Sequence, residues 1–191
     1  MKILKDRILS EGRALNEDIL KVDSFINHQV DMELMSAIGR ELADHFRDKN
    51  VTKVVTIESS GITPAAMVAM SLGVPMVIMK KQGSKVLNED MIQTEVTSFT
   101  KGNTYELSIC TRFIGENDHV LFIDDFLANG EAATGVIRLL RQLHATIAGI
   151  GILIEKSFMP GRSKLEGAGF EVYSLARIKK LGKDTIEFLD D

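Results

Sequence analysis

The chain has 191 residues, 45% of them apolar and 26% charged, a balance that suits one globular domain, 1–191, with a sizeable core. A net charge of −4 argues against a broad nucleic-acid-binding face, which needs many Lys and Arg on one surface to neutralise phosphates. The single Cys110 rules out an internal disulfide and is read as a small buried hydrophobe in a reducing compartment.

The first residues, "MKILKDRILSEGR", interrupt their apolar positions with charges and lack the apolar run of a secretory signal. Nowhere does a stretch reach the ~18 apolar residues of a membrane span, so a cytoplasmic protein is expected. Residues 2–13 carry Ile3, Leu4, Ile8 and Leu9 at helical spacing. "ILKVDSFINHQVD" is less regular. From Met32 to Phe46, Met35, Ile38, Leu42 and Phe46 recur every three or four positions, which predicts an amphipathic helix.

"KVVTIE" (53–58) reads as a buried strand, residues 65–72 as a helix and "VPMVIMK" (74–80) as a second strand. Residues 81–104 are polar and poorly periodic, and are expected to form a long flexible loop: an exposed hairpin, or a flap over a reactive ligand. "TYELSIC" then alternates like a strand. "HVLFIDD" (119–125) and "TIAGIGILIE" (146–155) are further strands, separated by a helix over 131–144 with Val136, Leu139, Leu140 and Leu143 on one stripe. "FEVYSLARI" (170–178) and "TIEFL" (185–189) close the chain. Strands alternating with helices predict an α/β fold with a mostly parallel sheet flanked by helices.

The chemistry concentrates in "VLFIDDFLANGEAATG" (120–135). A buried strand delivers Asp124 and Asp125 to the carboxyl edge of the sheet, where open parallel sheets bind ligands. Ala128-Asn129-Gly130 is small and permissive, so the turn can aim successive N–H groups into one concavity ahead of a helix start. An anion suits the turn. The two carboxylates suit neighbouring hydroxyls or a developing positive charge. "TIESSGITP" repeats the strand–turn–helix pattern, and Lys80 and Lys81 end the next strand. The four histidines show no metal-ligand spacing, so no protein-held metal is expected. Ser59 and Ser60 have no histidine partner identifiable from sequence.

The 120–135 stretch resembles the phosphoribosyl-pyrophosphate (PRPP) signature of type I phosphoribosyltransferases. It departs from the commoner pattern, because Asn129 and Glu131 flank the glycine where threonines usually stand. "KKQGSKV" and "LIEKSFMPGRSKLEGAGFEVYSL" look like the adenine and xanthine branch of that family. "LNEDILKVDSFINHQVD" together with "DDFLANGEAATG" is similar to its bacterial xanthine-specific members, over nearly the whole chain.

The resemblance implies the type I fold, with a base-binding hood from residues 1–30 and a flexible loop over 81–104. It implies transfer of phosphoribose from PRPP to N9 of xanthine in purine salvage, with Mg²⁺ bound mainly through PRPP. Ala128, Asn129, Gly130, Glu131 and Ala132 would hold the 5′-phosphate, with Glu131 contributing its backbone N–H and turning its side chain away. Asp124 and Asp125 would contact the ribose hydroxyls. Ser59, Ser60, Gly61 and Lys81 would meet the pyrophosphate. Leu20, Asn27 and Lys156 would form the base site, although read alone they suit a core leucine, a turn asparagine and a lysine paired with Glu155. A homodimer is implied, with no nucleic-acid or membrane partner. The competing readings are a PRPP-sensing regulator without turnover, and the same reaction on hypoxanthine or guanine.

Overall fold

The structure is a computed structural model that describes residues 1–81, 90–98 and 103–190. Helix α1 (Lys2–Glu11) opens the chain and buries Leu4 and Ile8. Ile3 and Leu9 stay exposed, so the buried stripe is narrower than the expected one. A two-residue ladder follows, β1 (Arg13–Ala14) on β2 (Leu20–Lys21), then a wide helical turn over Asp23–Asn27 that buries Phe25 and Ile26. These elements make up the segment expected as the hood.

Helix α2 (Met32–Phe46) begins where Asp31 accepts a hydrogen bond from the Leu34 N–H at 3.0 Å, satisfying one of the free amides of the first turn. Met35, Ile38, Leu42 and Phe46 are all fully buried, as their spacing predicts. β3 (Lys53–Ile57), α3 (Ile62–Leu72) and β4 (Met76–Met79) make the first crossover unit. α3 starts three residues before the expected 65, because Pro64 is tolerated within a first turn.

Part of the expected loop over 81–104 is ordered structure. β5 (Met91–Ser98) pairs antiparallel with β6 (Asn103–Cys110). Lys80 and Ser108 exchange backbone hydrogen bonds at 3.0 and 2.9 Å and tie the hairpin to the end of β4. The remaining residues of that expectation, 82–89 and 99–102, lie outside the described residues. β5 escapes a sequence reading because Gln93, Glu95 and Thr97 follow Met91 along one face of it.

β7 (His119–Leu127), α4 (Glu131–Gln142), β8 (Thr146–Lys156), α5 (Gly161–Gly167), β9 (Val172–Gly182) and β10 (Thr185–Phe188) complete the chain. The main sheet runs β10–β9–β8–β7–β3–β4, parallel throughout except for β10 on β9. Its residues alternate between two cores. Val54, Leu121, Ile123 and Leu153 pack with α1, α2 and α3. Val55, Phe122, Ile150 and Ile152 pack with α4, α5 and the hairpin. Each such buried side chain contributes about 1.5–3 kcal/mol. Covered on both faces, the strands read as continuous apolar runs.

Close approaches fix the layers. A Cβ at Gly149 would lie 2.3 Å from the Phe46 ring, and one at Gly39 only 2.4 Å from the Met67 Cβ. Among the described residues no helix is long and apolar enough to cross a membrane.

Candidate active site

The carboxyl edge of β7 and β8 forms the floor of a cavity of ≈ 570 Å³, lined by the hood, the hairpin, β7, the following turn and β8. That volume suits a small-molecule ligand.

At one end lies the turn Ala128–Gly130. Gly130 has φ 80°, the left-handed region that only glycine enters freely, and it stands at the N-cap of α4. It has no side chain to cap the helix, so the first amides and the positive end of the helix dipole remain available to an anion. The Gly130 carbonyl accepts from the Thr134 N–H at 2.9 Å and from Thr134 Oγ1 at 2.8 Å, which closes the first turn. Ala128, Asn129, Gly130, Glu131 and Ala132 all line the cavity. The Glu131 carboxylate accepts from Lys164 Nζ at 2.6 Å. From behind, the Gly161 N–H donates to the Ala128 carbonyl at 2.9 Å. A Cβ on Gly161 would lie 2.2 Å from that oxygen, so α5 packs flush against the turn.

Asp124 lines the middle of the cavity, on the same strand face as Phe122 and Phe126. β7 runs on to Leu127, so both acids sit within the strand rather than beyond it. Asp125 alternates away and is not a lining residue, while its N–H donates to Asp124 Oδ1 at 3.0 Å. Burial, and then the neighbouring Asp125 charge, raise the Asp124 carboxyl well above the usual aspartate range. Burial raises Asp125 as well. Two acids half-buried side by side are poised to receive positive charge or hydroxyl donors. Among the described residues, no group of three or more His, Cys, Asp and Glu gathers as a metal site.

The second turn lies beside Asp124. A Cβ on Gly61 would fall 2.3 Å from Thr56 Oγ1 and 3.1 Å from Asp124 Oδ1, so only glycine lets this turn close on β7. The Glu58–Ser59 peptide is cis. Glu58 accepts from the Lys81 N–H at 2.8 Å and from Lys80 Nζ at 3.1 Å, and these bonds, the backbone one foremost, hold its carboxyl below the usual range. Lys81 lines the cavity, with its Nζ 5.8 Å from the centre of the Tyr105 ring. Ser59, Ser60 and Gly61 are not lining residues; of the three, Gly61 lies closest to a lining group, the Asp124 carboxylate.

At the far end, Leu20 and Lys156 line the cavity, and Leu20 is buried. The Lys156 ammonium donates to the Asp18 carbonyl of the hood at 2.5 Å and lies 5.5 Å from the centre of the Phe126 ring. Burial lowers its proton affinity. Asn27 is exposed at the end of the hood turn and is not brought into the cavity.

Lys156 does not pair with Glu155. The Glu155 side chain is only 1% exposed and is held by Arg162 at 2.9 and 2.7 Å, by Ser157 and Ser174 at 2.6 Å each, and by Arg177 at 3.4 Å. Burial alone would raise its carboxyl, but the donors outweigh burial and leave it below the usual range. Cys110 is partly exposed rather than core, with Arg112 Nε 3.5 Å from its sulfur.

The sequence reading missed Val96, Thr97 and Tyr105 on the hairpin, and Phe126 and Ile152 on the floor. Phe126 was within reach, since it stands two residues after Asp124 on the same face of a strand.

This geometry agrees with what is found among other proteins. The sequence model of the phosphoribosyl transferase domain matches residues 27–181. Xanthine phosphoribosyltransferase of Agathobacter rectalis is 60% identical over 191 residues, 100% of both chains. Xanthine phosphoribosyltransferase 1 of Clostridium botulinum is 58% identical, covering 99% of this chain and 100% of that protein. Among solved structures, the adenine phosphoribosyltransferase of Giardia lamblia complexed with 9-deazaadenine superposes with a TM-score of 0.78. It is 23% identical and spans 91% of this chain and 97% of that one, a likeness of fold. The adenine phosphoribosyltransferase of Thermoanaerobacter pseudethanolicus gives a TM-score of 0.68 at 26% identity, over 77% and 82% of the two chains. Matched in fold by those structures and over its full length by the bacterial sequences, the chain belongs to the phosphoribosyltransferase family.

Proposed function

We propose that the protein transfers the phosphoribosyl group of PRPP to N9 of xanthine, giving xanthosine 5′-monophosphate and pyrophosphate in purine salvage. One observation carries this reading: a single cavity of ≈ 570 Å³ joins a glycine turn at a helix start, a half-buried acid and an apolar end that bears a lysine. Each feature matches one part of a purine nucleotide. The relatives named xanthine phosphoribosyltransferase, at 60% and 58% identity, support xanthine as the base.

The amides of Ala128–Ala132 take the 5′-phosphate at the start of α4. Asp124 and Asp125 accept hydrogen bonds from the ribose hydroxyls. As the bond from C1′ to pyrophosphate breaks, positive charge builds on the sugar ring, and the two carboxylates stabilise it. Lys81, with the Ser59–Gly61 turn behind it, meets the leaving pyrophosphate. Leu20 and Phe126 offer apolar surface to the flat base, and Lys156 reads a carbonyl oxygen or the anionic nitrogen of this acidic purine. Asn27 joins the base site only if the hood shifts. Among the described residues no third acid gathers with this pair, and two acids suit a cation that brings most of its own ligands. Mg²⁺ held there mainly by PRPP oxygens would neutralise the leaving group. We place the enzyme in the cytoplasm as a homodimer.

Activity with PRPP, Mg²⁺ and each purine in turn tests the proposal. Turnover with xanthine above guanine and hypoxanthine is expected; guanine preferred would reassign the base, and no turnover with any purine would leave a PRPP-binding regulator. The double variant Asp124→Asn, Asp125→Asn is expected to retain its circular dichroism spectrum and lose turnover by about two orders of magnitude or more, the scale of a removed transition-state contact. Near-normal turnover would refute the role of the pair.

A further inference from the structure

The phosphate turn contains a chemical conflict. Glu131 is the first residue of α4, and its own N–H is among the amides offered to an anion. A carboxylate at that position can fold back onto those same amides, as acidic residues at helix starts do. It would then occupy the anion's place. Left free in solvent, it would still set a negative charge beside a bound dianion.

The structure removes the carboxylate from both positions. Its oxygen accepts from Lys164 Nζ at 2.6 Å, on the second turn of α5. Lys164 is separated from Glu131 by 33 positions, so the pair exists only because α5 packs behind the turn. α5 reaches that place without Lys164. The Gly161 N–H is bonded to the Ala128 carbonyl, and Arg162 binds the buried Glu155 and the Val172 carbonyl. The lysine contributes charge and direction to a contact that is already built.

Resting on the reading of residues 128–132 as a phosphate site, we propose that Lys164 is a positioning residue for PRPP. It holds the Glu131 carboxylate away from the amides of the turn and offsets its charge, so that a phosphate can enter. It touches neither substrate. Its effect belongs to the binding of phosphorylated ligands and not to the chemical step.

The test is a double-mutant cycle read in steady-state kinetics and in binding of ribose 5-phosphate. Lys164→Met is expected to raise the KM for PRPP and the Kd for ribose 5-phosphate roughly three- to tenfold, the size of one uncompensated charge near a dianion in a half-exposed setting. kcat and the KM for xanthine should stay close to their wild-type values. Lys164→Arg, which keeps the charge, should restore PRPP binding. In a Glu131→Gln background, where there is no charge to hold back, Lys164→Met should lose its effect. A purely structural lysine would instead lower the melting temperature and shift all three kinetic constants, whichever residue stands at 131. An unchanged KM for PRPP in Lys164→Met, or the same increase in the Glu131→Gln background, would overturn the inference. If the wild-type protein itself binds no ribose 5-phosphate, the phosphate site is wrong, a result distinct from either of these.

Discussion

Asp124, which the proposal places at the ribose, carries a cost for the fold. Its side chain is half-buried beside a second acid, and its proton affinity is raised well above the ordinary aspartate range, near pH 4. A raised folded-state value means that the native protein holds a proton more tightly than the unfolded chain does. The associated stability is fully present below about pH 4 and is lost as pH rises through the folded-state value. Towards neutral pH, then, this group favours the unfolded chain more than it does in acid. Asp124→Asn should raise the melting temperature of the ligand-free protein by a few degrees at pH 7, and the gain should shrink as pH falls towards 4. Differential scanning calorimetry across that range checks it. A variant that melts below the wild type at pH 7 would mean that the carboxylate is stabilised by contacts other than those described. Gly61 belongs to the same economy of space, since any side chain there would fall between Thr56 Oγ1 and this carboxylate.

At the scale of elements, α5 is the backstop of the turn Ala128–Gly130, the proposed phosphate site. The oxygen of Ala128 would lie 2.2 Å from a Cβ on Gly161, and the other near atoms are Leu127 Cδ1 at 2.9 Å and the Gly130 nitrogen at 3.0 Å. Backbone cannot swing aside as a flexible side chain can, so Gly161→Ala must push the turn towards the cavity. A tenfold or greater rise in the KM for PRPP is expected, with a loss of stability of about 1–3 kcal/mol, the usual range for overpacking. Kinetics and thermal melting measure the two.

The elements also divide by how legible they were in the sequence. α2 could be read residue by residue, because a stripe of Met35, Ile38, Leu42 and Phe46 has no other physical use than burial. The turn at 128–130 was legible as a tight turn opening a helix, because Gly130 takes the positive φ that glycine allows. β5 was hidden by its threonines, glutamine and glutamate, which reflect a strand with one face in solvent. Lys164 and Tyr105 could not be linked to the cavity from sequence, because their partners lie tens of residues away. Asn27 was assigned to the base site through family resemblance, yet it stands outside the cavity.

Across the whole molecule, the sheet carries a core on each face, and α2 is seated through Phe46. That ring fills the space left by Gly149 and Gly151, with Cβ positions there 2.3 and 3.5 Å from it. It also meets Tyr173 edge-on at 6.3 Å, which joins α2 to both β8 and β9. Phe46→Ala should destabilise the protein by about 3–5 kcal/mol, with the cavity it leaves adding to the lost burial. Urea denaturation should show the loss as a shifted midpoint with an unchanged slope.

The hydrogen bond from Lys156 to the Asp18 carbonyl joins points 138 positions apart along the chain. A nascent polypeptide therefore carries its N-terminal segment well before β8 has been translated, and the Lys156 end of the cleft assembles only after that strand leaves the ribosome. Catalytic competence should consequently arrive late in synthesis, whereas α1 and α2 are available to fold early.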